Sequence, residues 1–379
     1  MSLESWRDRF PAIADEGWTH LRSCSVGPVP RSGIDALQAY QRAWLEKARP
    51  WDEWLDEVEE ARHTFASLIN ADPEEIAVVS SATSAVSQVA SAFEFEDRNE
   101  VVTSLLDFPT VPQFWHAHRK RGVELRFADP GEKNYVPVDA YVEQMSEDTQ
   151  FVCTAHASSF TGGLIDARAV ADAVHDRGGY LFLDAYQSAG IVPIDVKKQG
   201  IDMLTTGTLK FLLGGPGIAF LYVDGDLANG LEPASRGWFG VENTFGFDIQ
   251  DPGFAQGTRR FELGTPPVSN AYTANAGMKT IQEFGVDAVR ERVVERTART
   301  MERATDCGFS VMTPRESEHR GGVVNVQVEN AEQVKDRLHS RGFNVSYRSG
   351  GIRIAPHFFT LDEEIDAAVD AIDDVATPQ

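Results

Sequence analysis

Asp184 ends the apolar run Tyr180-Leu181-Phe182-Leu183, and Lys210 follows 26 residues later in Thr205-Thr206-Gly207-Thr208-Leu209-Lys210. A carboxylate at a buried strand end needs a partner to offset its desolvation. A protonated ring nitrogen is one such partner; an ordinary helix N-cap is the competing use of Asp there. The lysine lies among apolar residues in a chain with 8 lysines against 27 arginines. Such surroundings depress an amine's pKa and favour imine formation, although a lysine snorkelling from a strand end has the same neighbours. Two further stretches can do chemistry. In Ser80-Ser81-Ala82-Thr83-Ser84, small residues stand where a helix begins, so free N–H groups and the helix dipole would attract a phosphate; simple capping uses the same residues. In Asp107-Phe108-Pro109-Thr110, the Phe108 ring can stack on a flat ligand or pack into the core.

These residues need strand ends to hold them. Apolar runs predict strands at 76–79, 101–105, 125–127, 151–154, 180–183, 203–206 and 218–223, with helices at 84–93, 112–121 and 167–177 between them. Continuous apolar strands alternating with helices imply a mostly parallel sheet covered on both faces, whose ligands sit at the carboxyl ends of the strands. Residues 32–69 read as two helices separated by Pro50. Beyond residue 260 the rhythm changes to helices at 269–284 and 286–306, strands at 323–328 and 352–354, and a last helix capped by Thr360 with Glu363 three residues on. The expected architecture is α/β. Residues 21–259 form a large ligand-binding domain, 260–379 a smaller C-terminal α+β domain, and 1–20 a segment packing with the smaller one.

The net charge of −23 argues against binding a nucleic-acid backbone. An acidic, lysine-poor surface suits a salty cytoplasm; a merely acidic soluble enzyme is the other reading. Cys24, Cys153 and Cys307 are too scattered for a disulfide framework, and no His/Cys spacing suggests zinc. No run of eighteen apolar residues and no basic-then-apolar leader is present, so a cytoplasmic protein without a membrane span is expected. A Gly-x-Ser-x-Gly elbow is absent, and Lys210-Phe211-Leu212-Leu213-Gly214-Gly215-Pro216-Gly217 is not a Walker motif.

Phosphate cup, aromatic residue, Ser/Thr-Gly turn, Asp and Lys in this order form a pattern. It resembles the class V aminotransferase group of fold-type-I pyridoxal-phosphate (PLP) enzymes, which includes cysteine desulfurases, isopenicillin-N-epimerase-like proteins and kynureninases. The resemblance runs from about Phe10 to Ile372. It is carried by Leu183-Asp184-Ala185-Tyr186-Gln187, Lys210, Arg260-Phe261-Glu262-Leu263-Gly264-Thr265-Pro266, and Arg353 ahead of His357-Phe358-Phe359. The resemblance implies that Lys210 carries PLP as a Schiff base and shuttles protons. Asp184 would pair with the pyridine nitrogen, Gln187 would bond the phenolic oxygen, and Phe108 would stack on the ring. Ala82 and Thr83 would hold the phosphate, with Thr265 reaching in from a second subunit of a homodimer whose sites lie at the interface. Arg353 would clamp a substrate carboxylate.

Departures from the pattern bear on which member this is. Many relatives carry a phosphate-binding serine three residues before the lysine; here Gly207 stands there, so Thr206 or Thr208 is expected to substitute. Ser159 replaces a common Asn ahead of Thr161-Gly162. The stretch Val345-Ser346-Tyr347-Arg348-Ser349-Gly350-Gly351-Ile352 contains no Cys, where a desulfurase needs a thiolate on a mobile loop. Kynureninases resemble the chain at Asp107-Phe108-Pro109-Thr110 and Gly237-Trp238-Phe239-Gly240 but carry His where it has Gln187. The expectation is an enzyme acting on the α-amino group and α-carbon of a small amino acid, by transamination or an epimerase- or lyase-type outcome. A kynureninase-like carbon–carbon lyase and a non-catalytic PLP-binding protein are the alternatives.

Overall fold

Seven strands build the central sheet of the computed structural model, which describes residues 2–250 and 252–376. They are β1 (Ile76–Val79), β2 (Glu100–Ser104), β3 (Glu124–Ala128), β4 (Thr149–Ala155), β5 (Tyr180–Asp184), β6 (Met203–Gly207) and β7 (Ala219–Val223). Their order is β1-β7-β6-β5-β4-β2-β3. β6, β5, β4, β2 and β3 run parallel, whereas β7 is antiparallel to both of its neighbours. The reversal follows from chain length: residues 208–218 between β6 and β7 are too few for a crossover helix.

Alternate side chains leave opposite faces of each strand. Leu181 and Leu183 of β5 join one core with helices α2 (Trp51–Ile69), α5 (Ala167–His175) and α6 (Val268–Phe284), while Phe182 joins another with α3 (Ala82–Ser91) and α4 (Thr110–Ala117). Both faces are thus dry, which explains why the strands read as unbroken apolar runs. Helix α6 also lies against α1 (Arg31–Glu46). Its residues Val268, Ala271 and Met278 belong to the large core, so residues up to 284 pack with the larger unit rather than with the smaller one expected to begin at 260.

The C-terminal sheet comprises β8 (Val324–Gln327), β9 (Ser346–Arg348) and β10 (Gly351–Ile354), antiparallel in the order β9-β10-β8 and flanked by α7 (Val286–Asp306) and α8 (Asp362–Ala376). Strand β9 was not expected. Residues 345–351, compared above with a mobile loop, form a tight hairpin in which Ser349 (φ 51°) and Gly350 (φ 75°) both take left-handed conformations. The cap of α8 also differs from expectation. The Thr360 hydroxyl accepts from the His357 N–H at 3.0 Å, and it is Glu364 that reaches back to the Leu361 N–H at 2.8 Å.

The N-terminal segment crosses between the two sheets. Trp6, Phe10 and Ile13 pack with Phe358 and Phe359, Thr19–His20 pairs with Phe343–Asn344, and Arg22 bridges to Ala355. Among the described residues no helix is long and apolar enough to cross a membrane. Among them, too, no group of three His, Cys, Asp or Glu side chains is placed to hold a metal.

Candidate active site

The carboxyl ends of the central strands open into a cavity of about 260 Å³. Seven of the residues singled out from the sequence line it: Ala82, Thr83, Phe108, Ser159, Asp184, Gln187 and Lys210. Ala82 and Thr83 open helix α3, whose cap is Ser81, with its hydroxyl accepting from the Ser84 N–H at 3.1 Å. The first backbone N–H groups of a helix have no partner within it, so this end attracts an anion.

Asp184 closes β5. One carboxylate oxygen accepts from the Tyr186 N–H at 2.9 Å. Burial pushes its pKa up, and that N–H and the Lys210 charge pull it back. The Lys210 amine lies over two rings, 4.3 Å from the centroid of Tyr186 and 5.5 Å from that of Phe108. Burial lowers its pKa to about 8, with Arg353 and Arg348 acting in the same direction and Asp184 opposing them. Phe108 is held by its neighbour: the buried Asp107 carboxylate accepts from Ser104 N–H and hydroxyl, Thr154 hydroxyl and Ala155 N–H at 2.9–3.0 Å.

Four expected residues are not on the cavity wall. Thr208 is fully buried, and its hydroxyl donates to the Gly215 carbonyl at 2.9 Å, bracing the turn after the lysine. Thr206 is buried as well, its hydroxyl donating to the Gly207 carbonyl. Neither hydroxyl replaces the serine missing at Gly207. Thr265 stands on an exposed loop. Arg353 lies behind the wall, donating to the Ser159 carbonyl at 2.7 Å and the Ser25 hydroxyl at 3.1 Å, and its charge is felt at Lys210.

Other residues come to the site without having been singled out. A Cβ on Gly207 would lie 2.3 Å from the Tyr186 hydroxyl oxygen; the tyrosine occupies the space that a serine side chain at 207 would need. Arg348 extends over Phe108. Residues 22–27 run past the cavity. The Cys24 carbonyl accepts from Gln187 Nε2 at 3.0 Å, and the Gly27 N–H donates to the Leu209 carbonyl at 2.8 Å. Gly27 is obligatory there, because a Cβ would sit 2.1 Å from the Lys210 carbonyl oxygen. The composition of residues 22–27 offered no signal of this role.

Ser159 Oγ and Gln187 Oε1 are buried polar atoms without partners, and burial without a hydrogen bond is costly. With the open helix end, the Asp184 carboxylate and the amine between two rings, they fit a flat polar ring bearing a phosphate, as PLP does. A family model described as aminotransferase class-V matches residues 28–364. An uncharacterized aminotransferase of Bacillus subtilis (strain 168), YcbU, is 36% identical over 97% of both chains. The isopenicillin N epimerase of Streptomyces clavuligerus is 28% identical over 98% of this chain and 99% of its own. A kynureninase of Geobacillus thermodenitrificans (strain NG80-2) is 26% identical over 85% and 78%. Among solved structures, the apo cysteine desulfurase of Thermococcus onnurineus NA1 superposes with a TM-score of 0.87 over 98% of both chains at 20% identity, a likeness of fold. The match over most of the chain and the full-length relative agree: the chain belongs to the class-V aminotransferase family.

Proposed function

We propose that this family member, an enzyme with PLP as its cofactor, works at the α-carbon of a small amino acid, with Lys210 as carrier of the cofactor and proton shuttle. The observation that supports this reading most is the Lys210 amine between Phe108 and Tyr186, in the cavity that also holds Asp184. With a pKa near 8, roughly a tenth of the amine is neutral at pH 7 and able to attack a carbonyl or take a proton. When bound, the cofactor supplies a sink for the electron pair left at the α-carbon.

The chain's own groups do the rest. Asp184 would hold a proton on the ring nitrogen, Ser159 and Gln187 would hold the phenolic oxygen, and the N–H groups at Ala82 and Thr83 would hold the phosphate. Phe108 and Tyr186, both in the cavity wall, would exclude water from the ring. Arg353 keeps donors free for a carboxylate beyond those it spends on Ser159 and Ser25, and its Nε has no partner. A homodimer fits the exposed aromatic ridge of Trp44, Phe245 and Phe247, an apolar surface that a partner would cover; Thr265 would then reach the partner's site. A kynureninase-like carbon–carbon lyase is the second reading, favoured by the kynureninase relative.

The test is the absorbance of purified protein with PLP, before and after borohydride. The wild type is expected to trap the cofactor covalently at Lys210. A Lys210→Ala protein that still forms the reducible adduct refutes the assignment.

A further inference from the structure

Arg348 and Arg353 share one face of the β9–β10 hairpin. Ser346 pairs with Arg353, and Arg348, two residues along β9 from Ser346, projects to the same side. The left-handed pair Ser349 and Gly350 fixes the turn, so the spacing of the two arginines is set by backbone rather than by mobile side chains. Arg348 places its guanidinium 5.4 Å from the centroids of both Phe108 and Phe160. Lys210 lies over the same Phe108 ring at 5.5 Å, so this arginine overlooks the reactive amine.

Neither arginine has a carboxylate within ion-pair distance among the described residues. The chain carries 58 acidic against 35 basic side chains, and elsewhere in the C-terminal unit Arg296, Arg299, Arg303 and Arg341 are paired with carboxylates. Burial and the charge of Arg353 lower the pKa of Arg348, with Cys24 opposing them, so two like charges are held together with no carboxylate between them. Stacking on two rings orients the Arg348 fork and leaves its edge donors available. A net charge of −23 repels anionic substrates at long range, and a local pair of guanidinium groups is what would draw one in.

We infer that the substrate is a dicarboxylic amino acid, its α-carboxylate held by Arg353 and its side-chain carboxylate by Arg348. This rests on the reading of Lys210 given above, because it places the substrate amine at the lysine. Bidentate guanidinium–carboxylate pairing accounts for two arginines where a neutral amino acid needs one.

The experiment titrates the holoenzyme with L-glutamate, L-glutamine, L-aspartate, L-asparagine and L-alanine, following the cofactor absorbance. In the wild type the acidic member of at least one acid–amide pair is expected to half-saturate at about tenfold lower concentration than its amide. Arg348→Met brings that ratio close to one, and Arg348→Lys leaves it between the two. Because the ratio is taken within one preparation, a partly misfolded variant does not distort it. Equal affinities for acid and amide in the wild type, or a preference unchanged in Arg348→Met, overturn the inference and leave the Lys210 reading standing. A wild type whose spectrum responds to no amino acid overturns both.

Discussion

Replacing Gly207 with serine would put a Cβ 2.3 Å from the Tyr186 hydroxyl oxygen and 2.5 and 2.7 Å from two of its ring carbons. No rotation of the new side chain relieves a clash at Cβ, so the phenol ring must move. Overpacking of this kind costs about 1–3 kcal/mol. The movement also takes the ring away from the Lys210 amine, now 4.3 Å from its centroid. Tyr186→Ala opens the space, and the double variant Gly207→Ser/Tyr186→Ala restores a hydroxyl to the end of β6 without the clash. The pair should therefore be non-additive, with a favourable coupling of about 1–3 kcal/mol. Urea midpoints of the four proteins measure the cycle, and equilibrium dialysis of PLP measures cofactor retention. Gly207→Ser is expected to lose stability and cofactor, and the double variant to recover both relative to it. A Gly207→Ser protein as stable as the wild type, or a cycle additive within about 0.5 kcal/mol, would refute the argument that the tyrosine holds the serine's place.

His20, His156 and His357 are buried, and burial lowers each pKa to about 4 from 6.5. The unfolded chain binds more protons between these values, so stability is full above about pH 6.5 and falls as pH drops toward 4, by about 3 kcal/mol per histidine. Urea midpoints from pH 7.5 to 4.5 should show this slope, shallower in His156→Gln; a flat profile would contradict it. Asp107→Leu removes the acceptor for donors from β2 and β4, at a cost of about 2–4 kcal/mol, and should loosen Phe108, read as weaker cofactor binding. Dialysis into low salt should lower the melting temperature if the −23 charge is an adaptation to salt, since unscreened acidic residues repel; an unchanged melting temperature supports the plain acidic enzyme.

The central strands were legible because both faces of the sheet are buried, which leaves apolar runs ended by Asp184 or Ser80 with little ambiguity. The cavity residues on those strand ends followed from that frame. What escaped depends on register between distant segments. Asp184 pairs with Thr205, and the same alignment carried two residues further brings Tyr186 to Gly207; no property of either residue alone announces it. Thr208 is a candidate ligand in the sequence because it neighbours Gly207, but the turn after the lysine takes its hydroxyl, which donates to the Gly215 carbonyl. Arg348 was hidden in a stretch read for the absence of cysteine. Its meaning appeared only when the hairpin set it beside Arg353.

Residues 22–27 make the N-terminal arm a link between the C-terminal sheet and the wall of the cavity. The arm is joined at one end to Ala355 of the C-terminal unit, braces Arg353 through Ser25 and Gln187 through Cys24, and at the other end holds the Leu209 carbonyl. It works as a tie-rod: a few residues of backbone connect the C-terminal sheet that carries Arg353 to the peptide next to the Lys210 amine. With the roles proposed for Arg353 and Lys210, substrate capture and the poise of the lysine would not be independent adjustments. The arm therefore makes the smaller unit and the lysine turn one mechanical piece, so that a change at either end strains the other.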